Sequence, residues 1–230
     1  MLFPLHDDNP TRSTAIVVYG LIAVNVVVFF YQISLPNLQL MRLLNQWAVI
    51  PSQLNNNLAQ EWFTILTYQF LHGSLWHLIS NMWFLYLFGN NVEDQLGSFK
   101  FLAFYLLCGA GAAAAQVVFS SDSVVPMIGA SGSIAGVMGA YLVKFPRSRI
   151  LSILFLGFFF TFIHVPAAVY LGVWIAFQTI EAVMADPNAP GVAYLAHIGG
   201  FVVGLLLWQF MPKRYLPDDQ PPDDPFNDYE

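Results

Sequence analysis

The sequence predicts an all-α integral membrane protein, a bundle of six transmembrane helices, and three observations carry that prediction. Of 230 residues, 57% are hydrophobic and only 10% are charged, with a mean hydropathy of +0.59; soluble domains carry about 25% charged residues. The charges also leave long gaps: residues 13–41, 62–92, 101–121, 123–143, 150–180 and 187–212 contain no Asp, Glu, Lys or Arg. Each gap is long enough for the roughly 20 residues that a helix needs to cross a bilayer. The third observation is the side on which the basic residues fall. With six spans and both termini inside, Arg12, Lys100, Lys144, Arg147, Arg149, Lys213 and Arg214 are cytoplasmic and only Arg42 is outside, a strong positive-inside bias.

Taken in order, residues 1–14 form a cytoplasmic N-terminal segment. It begins Met1-Leu2-Phe3-Pro4 and carries Asp7 and Asp8 where a cleavable leader has a basic region, so the first apolar run is expected to stay as a helix. Residues 15–211 make one membrane domain with spans at 15–33, 75–92, 101–119, 131–143, 165–184 and 193–211. The connection 34–74 holds Trp47 and Trp62 and is expected to be an ordered outer loop that dips into the interface. Between Arg149 and Glu181 the apolar stretch is long enough for one span or two short passes. A double pass would put Lys213 and Arg214 on the opposite side from Lys144, Arg147 and Arg149, which favours one. Residues 150–163, with Phe158-Phe159-Phe160, would then lie at the interface or against neighbouring helices. The tail 212–230 is acidic and proline-rich and is expected to be disordered and cytoplasmic. It holds six of the 14 acids, so residues 1–217 are neutral overall and nucleic acid is excluded as a partner. The single cysteine, Cys108, lies in an apolar run, with no second thiol for a disulfide and no ligand cluster for a metal.

Polar groups inside apolar spans are costly, so each asks for a reason. His77 and Asn81 stand one helical turn apart on the second span. Ser131 opens the fourth span within Gly129-Ala130-Ser131-Gly132, and His197 lies near the start of the sixth within Ala196-His197-Ile198-Gly199-Gly200. The second, fourth and sixth spans run the same way, so all four residues share a depth near the outer leaflet. Together they supply a nucleophile, a general base and donors for a developing oxyanion, to which backbone N–H groups at the helix start beside Ser131 would add. No acid lies where it would orient His197, which makes the expected unit a Ser-His dyad. Each piece also has a plainer reading: Gly-Ala-Ser-Gly packs helices, His77 with Asn81 can be an interhelical pair, and His197 can be a satisfied core histidine. The joint placement favours catalysis. Ala135 and Gly139 follow Ser131, and Gly200 and Gly204 follow His197, as small-residue stripes that let the fourth and sixth helices approach closely. Elsewhere, His72 is a loop residue or stands at the site mouth, His164 is interfacial, and Glu93 is a structural hydrogen-bond acceptor. Asn25 and Gln32 are packing or interface groups.

These residues also fall into a known order. Glu61-Trp62 precedes Phe70-Leu71-His72-Gly73, then come His77-x3-Asn81, Gly89-x3-Glu93-x3-Gly97, Gly129-Ala130-Ser131-Gly132 and Ala196-His197-x2-Gly200-x3-Gly204. Over about residues 15–211 this series resembles the rhomboid intramembrane serine proteases. The resemblance implies a six-helix core with Ser131 as nucleophile and His197 as general base. His77 and Asn81, with backbone N–H groups near Ser131, would form the oxyanion hole, and no cofactor or metal is implied. It also implies transmembrane protein substrates, cut near the outer membrane surface and admitted from the bilayer past the fifth helix and the loop before the sixth. By the same analogy the membrane would be a prokaryotic plasma (inner) membrane; the oligomeric state stays open. The alternative class is a non-catalytic binder or quality-control factor on the same fold, and a transporter is disfavoured because no charged path crosses the bilayer. Two departures stand out: Phe63 follows Trp62 where many relatives have Arg, and Ala135 stands where some carry a Tyr beneath the histidine.

Overall fold

The computed structural model describes residues 2–185 and 191–214; from residue 215 on, the acidic tail lies outside the described residues. The order of elements is β1 (Leu2–Asp7), α1 (Ile16–Ser34), α2 (Asn37–Trp47), α3 (Pro51–Asn56), α4 (Leu58–Glu61), α5 (Thr64–Thr67), a 3-10 turn (Tyr68–Phe70), α6 (Leu75–Leu96), α7 (Ser98–Phe119), α8 (Ser131–Lys144), β2 (Arg149–Leu156), β3 (Phe159–Pro166), α9 (Ala167–Met184) and α10 (Tyr194–Phe210). The six long helices α1 and α6 to α10 cover the six predicted spans. Three of them, α1, α7 and α9, are long and apolar enough to cross a membrane by length and composition alone. The others fall short for physical reasons. The 14 residues of α8 rise only about 21 Å, and its residues 132–141 are all buried, so it has little lipid to face. α6 carries buried Asn81, Glu93 and Asp94, and α10 has 17 residues.

Helix directions follow from the glycine contacts. A Cβ on Gly200 would strike the carbonyl of Gly132, and one on Gly204 the carbonyl of Gly136, so α8 and α10 run parallel with their backbones touching. His77 lies against Gly129, and the Phe88 ring meets Tyr141 edge-on at 5.0 Å, so α6 runs parallel to α8 as well. α7 is antiparallel to both: Gly132 faces Ala112 while Gly136 faces Cys108, and Gly199 faces Ala115 while Gly111 faces Val203. Cys108 is thus a packing residue against the glycine stripe. Of the expected packing residues, Gly132 and Gly139 of α8 meet Gly200 and Phe201 of α10, Gly136 meets Gly204, and Ala135 is buried in the main core.

The all-α expectation is corrected by a three-stranded antiparallel sheet in the order β1-β2-β3. Residues 150–163 are not a helical span; they form most of a hairpin pairing Arg149 with Pro166 and Leu156 with Phe159, and Ile150 is buried in the main core against the helices. Gly157 takes φ +70° while Phe158 does not share the positive φ, the arrangement of a two-residue turn with glycine in its first position. The signal lay in two aromatic and β-branched runs of eight flanking one glycine. It was hidden because Ile153, Leu154, Phe155 and Leu156 form a continuous apolar run, so the period-two alternation is absent there. β1 adds the third strand, from Leu2 against Leu154 to Asp7 against Ile150. Its end is locked to the bundle: Tyr141 donates to Asp7 at 2.5 Å, and Asn9 donates to the Tyr141 hydroxyl at 2.7 Å.

Glu93 explains the start of α1, which has no side-chain cap of its own. Its Oε1 accepts from Val17 N–H at 3.0 Å and from the Ser98 hydroxyl at 2.6 Å, and its Oε2 accepts from Val18 N–H at 2.8 Å. A carboxyl from α6 thus satisfies the orphan donors of another helix's first turn, and Gly89 leaves room for Val18 alongside. Beside it Asp94 accepts from Ser13 N–H at 2.9 Å and from the Ser13 hydroxyl. Glu93→Ala strands two α1 donors and is expected to cost about 3 kcal/mol. Thermal unfolding in detergent checks this, with Glu93→Gln, which keeps one acceptor, expected to lose less.

The connection before α6 is ordered, as expected, by short helices. Phe63 packs edge-on against Trp47 at 5.6 Å and against Trp62 at 6.5 Å, so aromatic contacts anchor the loop. Tyr68 donates to the Gly109 carbonyl at 2.7 Å, and Val49 pairs with Met127 across to the loop before α8.

Candidate active site

Ser131 is the first residue of α8. The chain reaches it through Gly129, whose φ of +122° is strained for any other residue, and whose missing Cβ leaves the space taken by the His77 ring. The first bond within α8 runs from Ile134 N–H to the Ala130 carbonyl at 3.0 Å, and no side chain caps the helix. The N–H groups of Ser131, Gly132 and Ser133 therefore stand ahead of the helical ladder. Ser133, two residues further along α8, donates to Gln69 Oε1 at 2.7 Å, which ties α8 to the ordered loop.

His197 enters from α10. The parallel backbone contact at Gly132 and Gly200 sets the two helices in register, and Ser131 Oγ lies 2.7 Å from His197 Nε2. On the far side of the ring, His197 Nδ1–H donates to Gln178 Oε1 of α9 at 2.6 Å. An amide oxygen accepts only, so this bond puts the proton on Nδ1 and leaves the Nε2 lone pair facing the serine hydroxyl. The imidazole is held between Trp174, tilted at 32° with ring centres 5.9 Å apart, and Tyr194, edge-on at 6.4 Å. These two rings and Gln178 supply the support that Ala135 cannot. Sequence reasoning missed all three. Gln178 gave a signal, a polar residue inside an apolar span, of the kind that drew attention to Asn25 and Gln32.

His77 and Asn81 face the same place from α6. An ideal Cβ at Gly129 would lie 2.8 Å from His77 Nε2 and 3.7 Å from Asn81 Nδ2. Asn81 is buried, and its Nδ2 has no hydrogen-bond partner among the described residues, an unspent donor in a protein interior. A cavity of about 1230 Å³ is lined by His77, Asn81, Gly129, Ser131, Tyr194 and His197. The four candidate residues thus meet at one opening: a hydroxyl beside a basic nitrogen, with uncommitted donors nearby. Such a group can attack an acyl carbon, pass its proton to the ring, and hold the resulting oxyanion.

The remaining candidates have other places. Gln32 of α1 accepts from His72 N–H at 3.0 Å and donates to its carbonyl at 3.3 Å, so it fixes the turn before α6. Asn25 donates to the Leu21 carbonyl of its own helix. His72 is buried with its ring 5.0 Å from that of His77. Burial, and then the charge of His77, push its imidazole down to about 4, so it packs against the site as a neutral ring.

A model of the Rhomboid domain matches residues 59–214. The chain is 28% identical over 208 residues to "Rhomboid protein 1, mitochondrial" of Saccharomyces cerevisiae, covering 85% of this chain and 53% of that protein. It is 30% identical over 165 residues to "Rhomboid-like protein 11, chloroplastic" of Arabidopsis thaliana, covering 66% and 53%. It is 34% identical over 151 residues to "Rhomboid protease GluP" of Bacillus subtilis, covering 65% and 26%. The chain spans about half the length, or less, of these relatives. Two of the three carry organellar names, which removes the support for a prokaryotic plasma membrane that the resemblance had implied. With a matched domain over more than half its length and helices apolar enough to cross a bilayer, the chain is an integral membrane protein and belongs to the rhomboid family.

Proposed function

We propose that the protein is an intramembrane serine endopeptidase that cleaves transmembrane segments of other membrane proteins. The observation that carries this reading is the 2.7 Å approach of Ser131 Oγ to Nε2 of His197 at the edge of a cavity. α1 and α6 to α10 cross the bilayer as six spans, with both termini on the side that holds the β-sheet and the site nearer the opposite surface. Residues 1–14, 15–211 and 212–230 then divide the chain into an inner segment, the membrane domain and an inner tail. Ser131 attacks the scissile carbonyl while His197 takes its proton. Asn81, His77 and the leading N–H groups of α8 stabilise the oxyanion, and the histidinium then protonates the leaving amine. Water hydrolyses the acyl-enzyme with His197 again as base. No metal or cofactor is needed for these steps.

Labelling of the detergent-purified protein with a fluorophosphonate tests the reading, because the reagent reports an activated serine without knowledge of the substrate. Wild type is expected to label, and Ser131→Ala and His197→Ala are expected not to. Absence of labelling in folded wild type would favour a non-catalytic binding role.

A further inference from the structure

α9 touches the rest of the protein chiefly through its beginning. Its buried residues are Ala167, Tyr170 and Leu171, whereas Val173, Phe177, Ile180, Val183 and Met184 are exposed. The second half of this helix is largely apolar at its surface, with Thr179 and Glu181 as its exposed polar residues, and a Gln turned from that surface toward α10 asks for a reason. Gln178 sits in that half, and its amide oxygen lies 2.6 Å from His197 Nδ1. No Asp or Glu side chain is hydrogen-bonded to His197 among the described residues, so the amide occupies the place that an orienting acid would take.

We infer that Gln178 is a positioning residue for His197: it holds the Nδ1–H tautomer that leaves Nε2 free to receive the Ser131 proton. This inference rests on the hydrolytic reading above. An imidazole without a partner at Nδ1 divides itself between two tautomers and can turn about its side-chain bonds, and the Nε2–H form cannot accept a proton from serine. Trp174 and Tyr194 confine the ring plane, but ring packing does not select a tautomer; only an acceptor at Nδ1 does. Because Gln178 comes from α9 and His197 from α10, the base is set while the second half of α9 rests against α10.

The test compares full-length wild type with Gln178→Leu and Gln178→Glu, using the rate of fluorophosphonate labelling, thermal unfolding and the ¹⁵N signals of His197. Leu matches Gln in size, suits lipid and lacks the acceptor; Glu keeps an acceptor oxygen and suits lipid poorly. A positioning role predicts that Gln178→Leu labels about 10- to 100-fold more slowly, the range typical of removing the partner that orients a histidine, with undiminished thermal stability. Gln178→Glu is expected to stay closer to wild type in labelling although it unfolds at lower temperature. A merely structural role predicts the reverse order, and Gln178→Leu labelling as fast as wild type overturns the inference. The ¹⁵N spectrum decides it independently of activity. An Nδ1–H tautomer in wild type that is lost in Gln178→Leu supports the assignment, and an Nε2–H tautomer in wild type overturns it. Unlabelled wild type would sink the hydrolytic reading while the spectrum still reports on Gln178.

Discussion

Replacement of Ser131 with alanine is expected to abolish cleavage of a single-span membrane substrate, and His197→Ala is expected to do the same with no further loss in the double variant. The expectation follows from how the pair works. The serine hydroxyl is a poor nucleophile until Nε2 accepts its proton, and the histidine has nothing to activate once the hydroxyl is gone, so each removal disables the same step. In hydrolases of this chemistry the loss on removing either member is about 10⁶-fold, nearly the loss on removing both. Product formation in liposomes, followed by gel mobility, measures it. Additive losses would mean that Ser131 and His197 act separately despite the 2.7 Å contact. Unfolding temperatures should change little, because Ser131 is only partly buried and its one close polar partner is the ring.

Gly200→Ala is the second large effect, and it should appear in fold and activity together. An added methyl would overlap the carbonyl, and crowd the Cα, of Gly132. These are backbone atoms of a helix and have no alternative rotamer, so α8 and α10 must separate. Overpacking that side chains absorb costs about 1–3 kcal/mol; here the backbone has to move, and a loss of about 4 kcal/mol or more is expected. The same displacement lengthens the Ser131–His197 contact, and about 1 Å of misplacement is worth about 100-fold in rate. Gly204→Ala, which meets the Gly136 carbonyl one turn further on, should unfold similarly while disturbing the site less. Gly172→Ala is the control: nothing lies within 4 Å of its added Cβ, so it should be tolerated. Thermal unfolding and phosphonate labelling of the three variants separate these outcomes. Normal labelling in Gly200→Ala would show that the glycine contact does not set the catalytic distance.

Much of this was legible in the residues. The charge-free stretches give the six long helices to within a few residues, because the cost of placing charge in lipid is written directly into composition. The parity of the spans brings His77, Asn81, Ser131 and His197 to one level, and they line one cavity. On α8, Gly132, Gly136 and Gly139 turn toward α10, whereas Ala135 turns into the main core. Periodicity locates a face, but the partner's own glycines decide which neighbouring row it meets. The hairpin was missed because Ile153, Leu154, Phe155 and Leu156 form a continuous apolar run, and an apolar run without alternation reads equally as helix or strand. β1 fell within residues 1–14, read as a cytoplasmic N-terminal segment without a strand, since Leu2–Asp7 becomes a strand only when β2 offers it an edge.

By itself the sequence determined the class of protein, the number and position of its long helices and the chemical types available at the site, because these depend on local composition and spacing. Only the tertiary structure decided the rest. Glu93 caps a helix about 75 positions earlier in the chain, Phe63 anchors the loop through Trp47, and Gln178 reaches His197 from a different helix. Each of these is a contact between residues whose separation in sequence carries no information about their separation in space. Hydrogen bonds of about 3 Å are fixed by how whole helices pack, and that packing is the joint result of every residue on both surfaces.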